Sequence, residues 1–264
     1  MGLTIIAALA CVAPVGAQQI LGGGGASPAV VSLHSGWGEP DGRRIAGLRM
    51  ALAPGWKTYW RSPGAAGIPP HFDWSGSRNV RDVNIVWPRP AVFESFGMRT
   101  IGYKEEMVLP LAITAEDADR PIRLRLALSY GVCEEICVPA TADLALDIAP
   151  GQSPDGAELI TAAIASAPQR ATRGGLTSAT CALRPDEKRF EARLAFEPTL
   201  PEGAVVVAEG ENAMFGPLES RFENGSLIAV GEMRALSGGI DRSALRLTVL
   251  TPEAAWVVEG CPSG

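Results

Sequence analysis

An all-β chain folded as two tandem β-sandwiches, joined by a short linker with one helix, is what the sequence predicts, on three observations. Apolar and polar residues alternate with period 2 in run after run. Gly (30) and Pro (21) are abundant enough to close many turns. One Pro/Gly/Ser-rich stretch, 149–156, divides two such regions. Period-2 alternation is the mark of a strand with one buried face. The 264 residues, 47% hydrophobic and only 20% charged, can bury real cores in one large or two ordinary domains. A net charge of -6 offers no basic stripe for phosphates and argues against nucleic acid as a partner.

The N-terminus predicts export. Leu3 to Val15 is apolar and Val15-Gly16-Ala17 supplies small residues for cleavage, so 1–17 reads as a secretory signal peptide. The run is too short to span a bilayer, and it lacks the usual basic start. Ala8-Leu9-Ala10-Cys11 departs from a lipoprotein box in the placement of its leucine. Residues 18–28, with four consecutive glycines, read as a flexible leader. Of five cysteines, Cys11 leaves with the signal, and Cys133, Cys137, Cys181 and Cys261 remain. An even number in an oxidising compartment suggests two bridges. Proximity favours 133–137, which leaves 181–261.

In the first region, 29–149, a strand starts at Ala29 to Leu33, and Leu48, Met50 and Leu52 mark the next. The aromatic run Trp56-Lys57-Thr58-Tyr59-Trp60-Arg61-Ser62-Pro63-Gly64 is a short strand between Pro/Gly turns. Pro69 to Trp74 and Val83, Ile85, Trp87 give two more strands. Pro88 to Tyr103 breaks the pattern and reads as a loop holding Phe93, Glu94, Phe96, Met98 and Tyr103. Alternation resumes at Met107, Leu109, Leu111 and Ile113, then at Ile122, Leu124, Leu126, Leu128 and Tyr130, and finally at Leu144, Leu146 and Ile148. Seven or eight short strands in roughly 120 residues is sandwich spacing.

The linker, 150–171, should hold a helix capped by Asp155, burying Leu159, Ile160, Ala163 and Ile164 and ended by Pro168. The second region, 172–264, alternates at Phe190, Ala192, Leu194 and Phe196 and again at Leu245, Leu247 and Val249. Asn224-Gly225 suits a type I′ hairpin turn, and the last strand is Ala255 to Glu259.

Chemistry concentrates at the joint between two strands of the first region. If they pair, the loop Glu134 to Ile136 sets Cys133 opposite Cys137. Opposed residues have Cβ atoms about 4.5–5.5 Å apart, and a small adjustment closes a disulfide that wants about 3.5–4.5 Å. A bond closing so short a loop braces little, which points to redox chemistry. Three readings stay open on spacing alone: an inert bridge, a reversible dithiol, or a soft-metal site for Cu(I). The metal reading would borrow His71 or Met98. No catalytic triad or phosphate loop accompanies the two histidines, His34 and His71, and no cofactor is expected. The aromatic Pro88–Tyr103 loop could lie over the cysteines as a lid.

Three stretches together carry a family resemblance: Trp56 to Gly64, then Phe96-Gly97-Met98 with Tyr103, then Tyr130-Gly131-Val132-Cys133 through Cys137-Val138-Pro139. They resemble the N-terminal periplasmic domain of the DsbD/ScsB thiol–disulfide interchange proteins over roughly residues 30–150. The second region looks like the tandem immunoglobulin-like arrangement of the ScsB branch. The resemblance implies two immunoglobulin-like domains, a periplasmic location and a protein thiol–disulfide oxidoreductase. It makes Cys133 and Cys137 the redox pair, with Phe93, Glu94, Phe96 and Tyr103 as cap-loop candidates. Cys137 is then the attacking thiol and Cys133 the resolving one. Electrons would come from a membrane-embedded thiol reductase and pass to a periplasmic thioredoxin-fold oxidoreductase or isomerase. Relatives continue into a transmembrane conduit and a thioredoxin-like domain. With neither before Gly264, a separate membrane protein is the expected donor. Cys181 and Cys261 match nothing catalytic and read as a structural disulfide. Glu134, Glu135 and Glu94 should disfavour a nearby thiolate. The rival reading is a periplasmic copper-binding or adaptor module using the same sulfurs.

Overall fold

A computed structural model describes residues 27–95, 97–235 and 239–263. Residues 1–17, expected to be a signal peptide, with Cys11, and most of the expected leader lie outside the described residues, as does Phe96. The chain is all-β, with a single short α-helix among the described residues.

The first sandwich contains β1 (Ala29–Gly38), β2 (Arg44–Leu52), β3 (Lys57–Gly64), β4 (His71–Asp73), β5 (Asp82–Ile85), β6 (Ala91–Ser95), β7 (Met98–Lys104), β8 (Glu106–Thr114), β9 (Ile122–Cys133) and β10 (Cys137–Ile148). One sheet runs β1-β2-β8-β5, the other β10-β9-β3-β7-β6, with β4 also paired to β9. The alternating residues do what alternation dictates: Leu48 and Met50 of β2, Leu109 and Leu111 of β8 and Leu124 to Leu128 of β9 interleave in one core, with Trp60 fully buried among them. Each such side chain contributes about 1.5–3 kcal/mol by leaving water.

The stretch from Pro88 to Tyr103 is not an irregular loop. It is the hairpin β6–β7, with Phe93 opposite Thr100 and Glu94 opposite Arg99. β6 is a short edge strand whose Val92 and Glu94 stay exposed, so it carries no buried face to write a period into the sequence.

The linker forms α1 (Ala157–Ala165). Its N-cap is Gly156 at φ +70°, and Asp155 does not cap it. The Asp155 carboxylate lies 2.9 Å from His34 Nδ1, and its carbonyl accepts from the Gly36 N–H, so this residue tethers the linker to β1. Ile160 and Ala163 pack on Ile45, Val108 and Ala112 of the first sandwich. Leu159 and Ile164, expected on the buried face, are 42% and 38% exposed. A helix lying on one flat sheet has a narrower contact stripe than four residues fill.

The second sandwich contains β11 (Gln169–Arg170), β12 (Leu176–Arg184), β13 (Arg189–Phe196), β14 (Val205–Glu209), β15 (Ala213–Phe215), β16 (Glu219–Glu223), β17 (Ser226–Ala235), β18 (Arg246–Leu250) and β19 (Ala255–Glu259). Its sheets run β11-β19-β18-β14 and β12-β13-β17-β15, with β16 on β17. The chain re-enters a sheet at Gln169, ahead of Thr172, because β11 pairs in parallel with β19. Asn224 (φ 49°) and Gly225 (φ 78°) turn β16 into β17, the two left-handed residues a type I′ turn requires. Cys181 and Cys261 are bonded within this core, both nearly inaccessible.

The two sandwiches share a wall. Val206 and Ala208 of β14 belong to the second core, whereas Val205 and Val207, with Leu250 and Ala255, pack into the first. A strand buried on both faces reads as an unbroken apolar run, which is what Ala204 to Ala208 is. Around this wall the Arg61 guanidinium makes two 2.8 Å bonds to Glu209 and lies 4.0 Å over the Trp60 ring. Arg99 donates to the Leu218 carbonyl and Arg89 to that of Pro252.

Candidate functional site

The site lies where β9 ends and β10 begins. Cys133 and Cys137 are directly opposed in the ladder, Cα atoms 4.1 Å apart, and are joined as a disulfide. Along β9, Tyr130 and Val132 point into the core. Cys133 and Gly131 alternate with them and face the other side of the sheet. Cys133 is nonetheless fully buried, while Cys137 is half-buried.

Three strands supply the cover. β3 meets β9 only at its start, pairing Lys57 with Cys133 and Thr58 with Val132. The Thr58 hydroxyl donates to the Gly131 carbonyl at 2.8 Å and locks that register. Two residues on, Tyr59 occupies the same face as Lys57. Its ring crosses β9 at Gly131, where a Cβ would come within 3.1 Å of the ring and 2.6 Å of Ile68. The missing side chain therefore lets the phenol reach β10, where its oxygen lies 2.9 Å from Cys137 Sγ. Burial pushes the Tyr59 phenol above its ordinary pKa.

On the other side of β3, Lys104 of β7 is the register partner of Lys57. Both ammonium groups lie over the Phe93 ring, Lys104 Nζ at 4.8 Å from its centroid and Lys57 Nζ at 5.9 Å. That is cation–π range. Desolvation first, and the neighbouring Lys104 second, hold Lys57 below the usual lysine pKa.

The sequence candidates thus divide. Cys133, Cys137 and, through the lysine pair, Phe93 come together on one face. Tyr103 does not join them: it points inward, part of the first core, with its hydroxyl donating to the Pro88 carbonyl at 2.9 Å. Glu94 is exposed on the edge hairpin, and Phe96 is outside the described residues. Cys181 and Cys261 sit at the far core of the second sandwich. The Glu134 carboxylate lies against Gly55, and Glu135 is exposed. The hairpin tip is apolar where it meets solvent, with Ile136 76% and Val138 40% exposed on either side of Cys137. Among the described residues no three His, Cys, Asp or Glu side chains are grouped as metal ligands. His71 pairs with Ser129, four residues down β9 from Cys133, about 13 Å along a strand.

Tyr59 and Lys57 stand outside the set of site residues expected from the sequence. The signal was present in the aromatic run, where 57, 59 and 61 alternate against Thr58 and Trp60. Adjacent aromatics on opposite faces, Tyr59 and Trp60, hide which face is the core.

A half-buried cysteine bonded to a fully buried one makes the pair asymmetric.

Residues 31–148 match the model of the family described as "Thiol:disulfide interchange protein DsbD, N-terminal". The crystal structure of the N-terminal periplasmic domain of ScsB from Proteus mirabilis superposes with a TM-score of 0.66 at 24% identity, covering 89% of this chain and 92% of that one. The reduced N-terminal domain of Neisseria meningitidis DsbD is 21% identical over 47% of this chain and 90% of its own, with a TM-score of 0.28. No curated protein matches the chain.

Proposed function

We propose, from the match of residues 31–148 to the DsbD N-terminal family model, that this protein carries out thiol–disulfide exchange through reversible opening of Cys133–Cys137, relaying electrons in the periplasm. The donor is a membrane-embedded thiol reductase and the acceptor a thioredoxin-fold oxidoreductase or isomerase. The observation that carries the reading is the asymmetry of the pair: Cys133 fully buried, Cys137 half-buried, contacted by Tyr59 and flanked by exposed Ile136 and Val138. Resemblance to a structure described as a periplasmic domain supports the location.

The electron count closes through a mixed disulfide. A donor thiolate attacks Cys137 Sγ, the Cys133–Cys137 bond breaks, and Cys133 leaves as thiolate. The donor's second thiol resolves that intermediate, leaving its own disulfide and a reduced pair here. In the forward step Cys137 thiolate attacks the acceptor's disulfide. Cys133 then attacks Cys137, the acceptor departs as a dithiol, and the pair is oxidised again. The copper-binding alternative has the same two sulfurs and, among the described residues, no third His, Cys, Asp or Glu grouped with them.

The test is trapping in periplasm with single-cysteine variants. Cys133→Ser, which keeps the accessible sulfur, should accumulate covalent adducts with a thioredoxin-fold protein and with a membrane reductase. Cys137→Ser should accumulate far less. Equal trapping by both variants, or none by either, overturns the proposal, and tight 1:1 Cu(I) binding lost in both would replace it.

A further inference from the structure

The exchange reading assigns no role to Lys57, whose side chain is buried beside the pair. Resting on that reading, we propose that Lys57 is a positioning residue for it, with its ammonium serving as the counter-charge for Cys133 when this sulfur leaves as a thiolate.

Geometry comes first. Lys57 and Cys133 are opposed in an antiparallel ladder, so their Cβ atoms lie about 4.5–5.5 Å apart on one face. Both are buried, Lys57 at 9% exposure and Cys133 at 0%. Attack on Cys137 therefore creates a negative sulfur out of reach of bulk water. A buried thiolate without a compensating charge is a poor leaving group, because desolvation raises its pKa and slows its departure.

The other charged and titratable groups around Cys133 compete on known terms. Lys104 stands one strand further off and is exposed; both ammonium groups lie over Phe93, that of Lys104 at 4.8 Å and that of Lys57 at 5.9 Å from the centroid. Tyr59 directs its hydroxyl to the other sulfur. Glu134 and Glu135 follow in the tip, and Glu94 sits on the edge hairpin, all exposed. Interaction with a charge in water is about fourfold weaker than with one at the same distance near the protein's interior dielectric. The buried lysine therefore outweighs the exposed carboxylates that the sequence suggested would govern the thiol. Burial and Lys104 both press against the Lys57 charge. An anionic sulfur beside it offsets both, so the two groups favour each other's charged state.

The test uses the mature protein with Cys137→Ser, in which Cys133 is the one titrating thiol and Cys181–Cys261 stays bonded. Thiolate absorbance against pH reports its midpoint. Lys57→Met should raise that midpoint by about one unit, a roughly tenfold lower thiolate fraction at a given pH, and Lys57→Arg should restore it. Lys57→Gln replaces Lys57→Met if the latter does not fold. An unchanged midpoint in a folded, charge-less variant overturns the assignment. That outcome is separate from a wild-type protein that traps no partner, which would overturn the exchange reading while leaving this titration intact.

Discussion

The phenolic oxygen of Tyr59 lies 2.9 Å from Cys137 Sγ, so β3 touches β10 across the whole width of β9. The contact exists because β9 presents Gly131 at the crossing point. A hydroxyl placed there can donate to a thiolate on Cys137 and favours the charged form of that sulfur.

Tyr59→Phe should keep the fold and the disulfide while removing that donor. A hydrogen bond to a charged group contributes about 1.5–3 kcal/mol, so alkylation of reduced Cys137 at neutral pH should slow by roughly tenfold or more. Stopped-flow alkylation of the Cys133→Ser background measures it. An unchanged rate would remove Tyr59 from the chemistry.

Gly131→Ala inserts a methyl 2.6 Å from Ile68 Cβ and 3.1 Å from the Tyr59 ring. Overpacking of this kind costs about 1–3 kcal/mol, which urea denaturation would show. Because the ring must move, the variant should also reproduce the slow alkylation of Tyr59→Phe, and combining the two should add little further slowing.

All three tyrosines of the sequence, Tyr59, Tyr103 and Tyr130, are buried and hold their phenols above the ordinary pKa. The sign follows directly. Above about pH 10 the unfolded chain has released these protons while the folded one retains them. The stability they contribute is complete below that pH and is lost as the pH climbs through the folded values. Phenolate absorbance should therefore rise late in the native protein and near pH 10 in urea. A native titration centred at 10 would contradict the burial.

Replacing both Cys181 and Cys261 by Ala should cost about 2–5 kcal/mol of unfolding free energy, since their bond spans a sequence separation of 80. Exchange through Cys133 and Cys137 should be unaffected in the folded protein, because the two bonds lie in different sandwiches. A loss of exchange that tracks with retained folding would tie the second bond to the redox cycle.

Much of this was legible in the chain itself, for physical reasons. Strands with one wet face, such as Ile122 to Tyr130, announce themselves by period, and Asn224-Gly225 announces its turn by backbone freedom. The opposition of Cys133 and Cys137 followed from loop length alone. What stayed hidden were features set by tertiary contact. The β6–β7 hairpin has an edge strand with no buried face, so it looked like a loop. Tyr103 looked like cap material because nothing local distinguishes an inward aromatic from an outward one. The roles of Lys57 and Tyr59 depend on which strand lies beside β9, and that pairing is remote in sequence. Asp155, a plausible helix cap, is claimed instead by His34, 121 residues away.

The doubly buried strand β14 has a consequence for anyone dissecting this molecule. Its Val205 and Val207, with Leu250 and Ala255, are roof tiles of the first sandwich contributed by the second. A fragment stopped after α1 would come out with that roof off, and its bare underside should make it sticky in solution. Cutting the chain between the two halves would therefore strip cover from the half that carries the sulfurs.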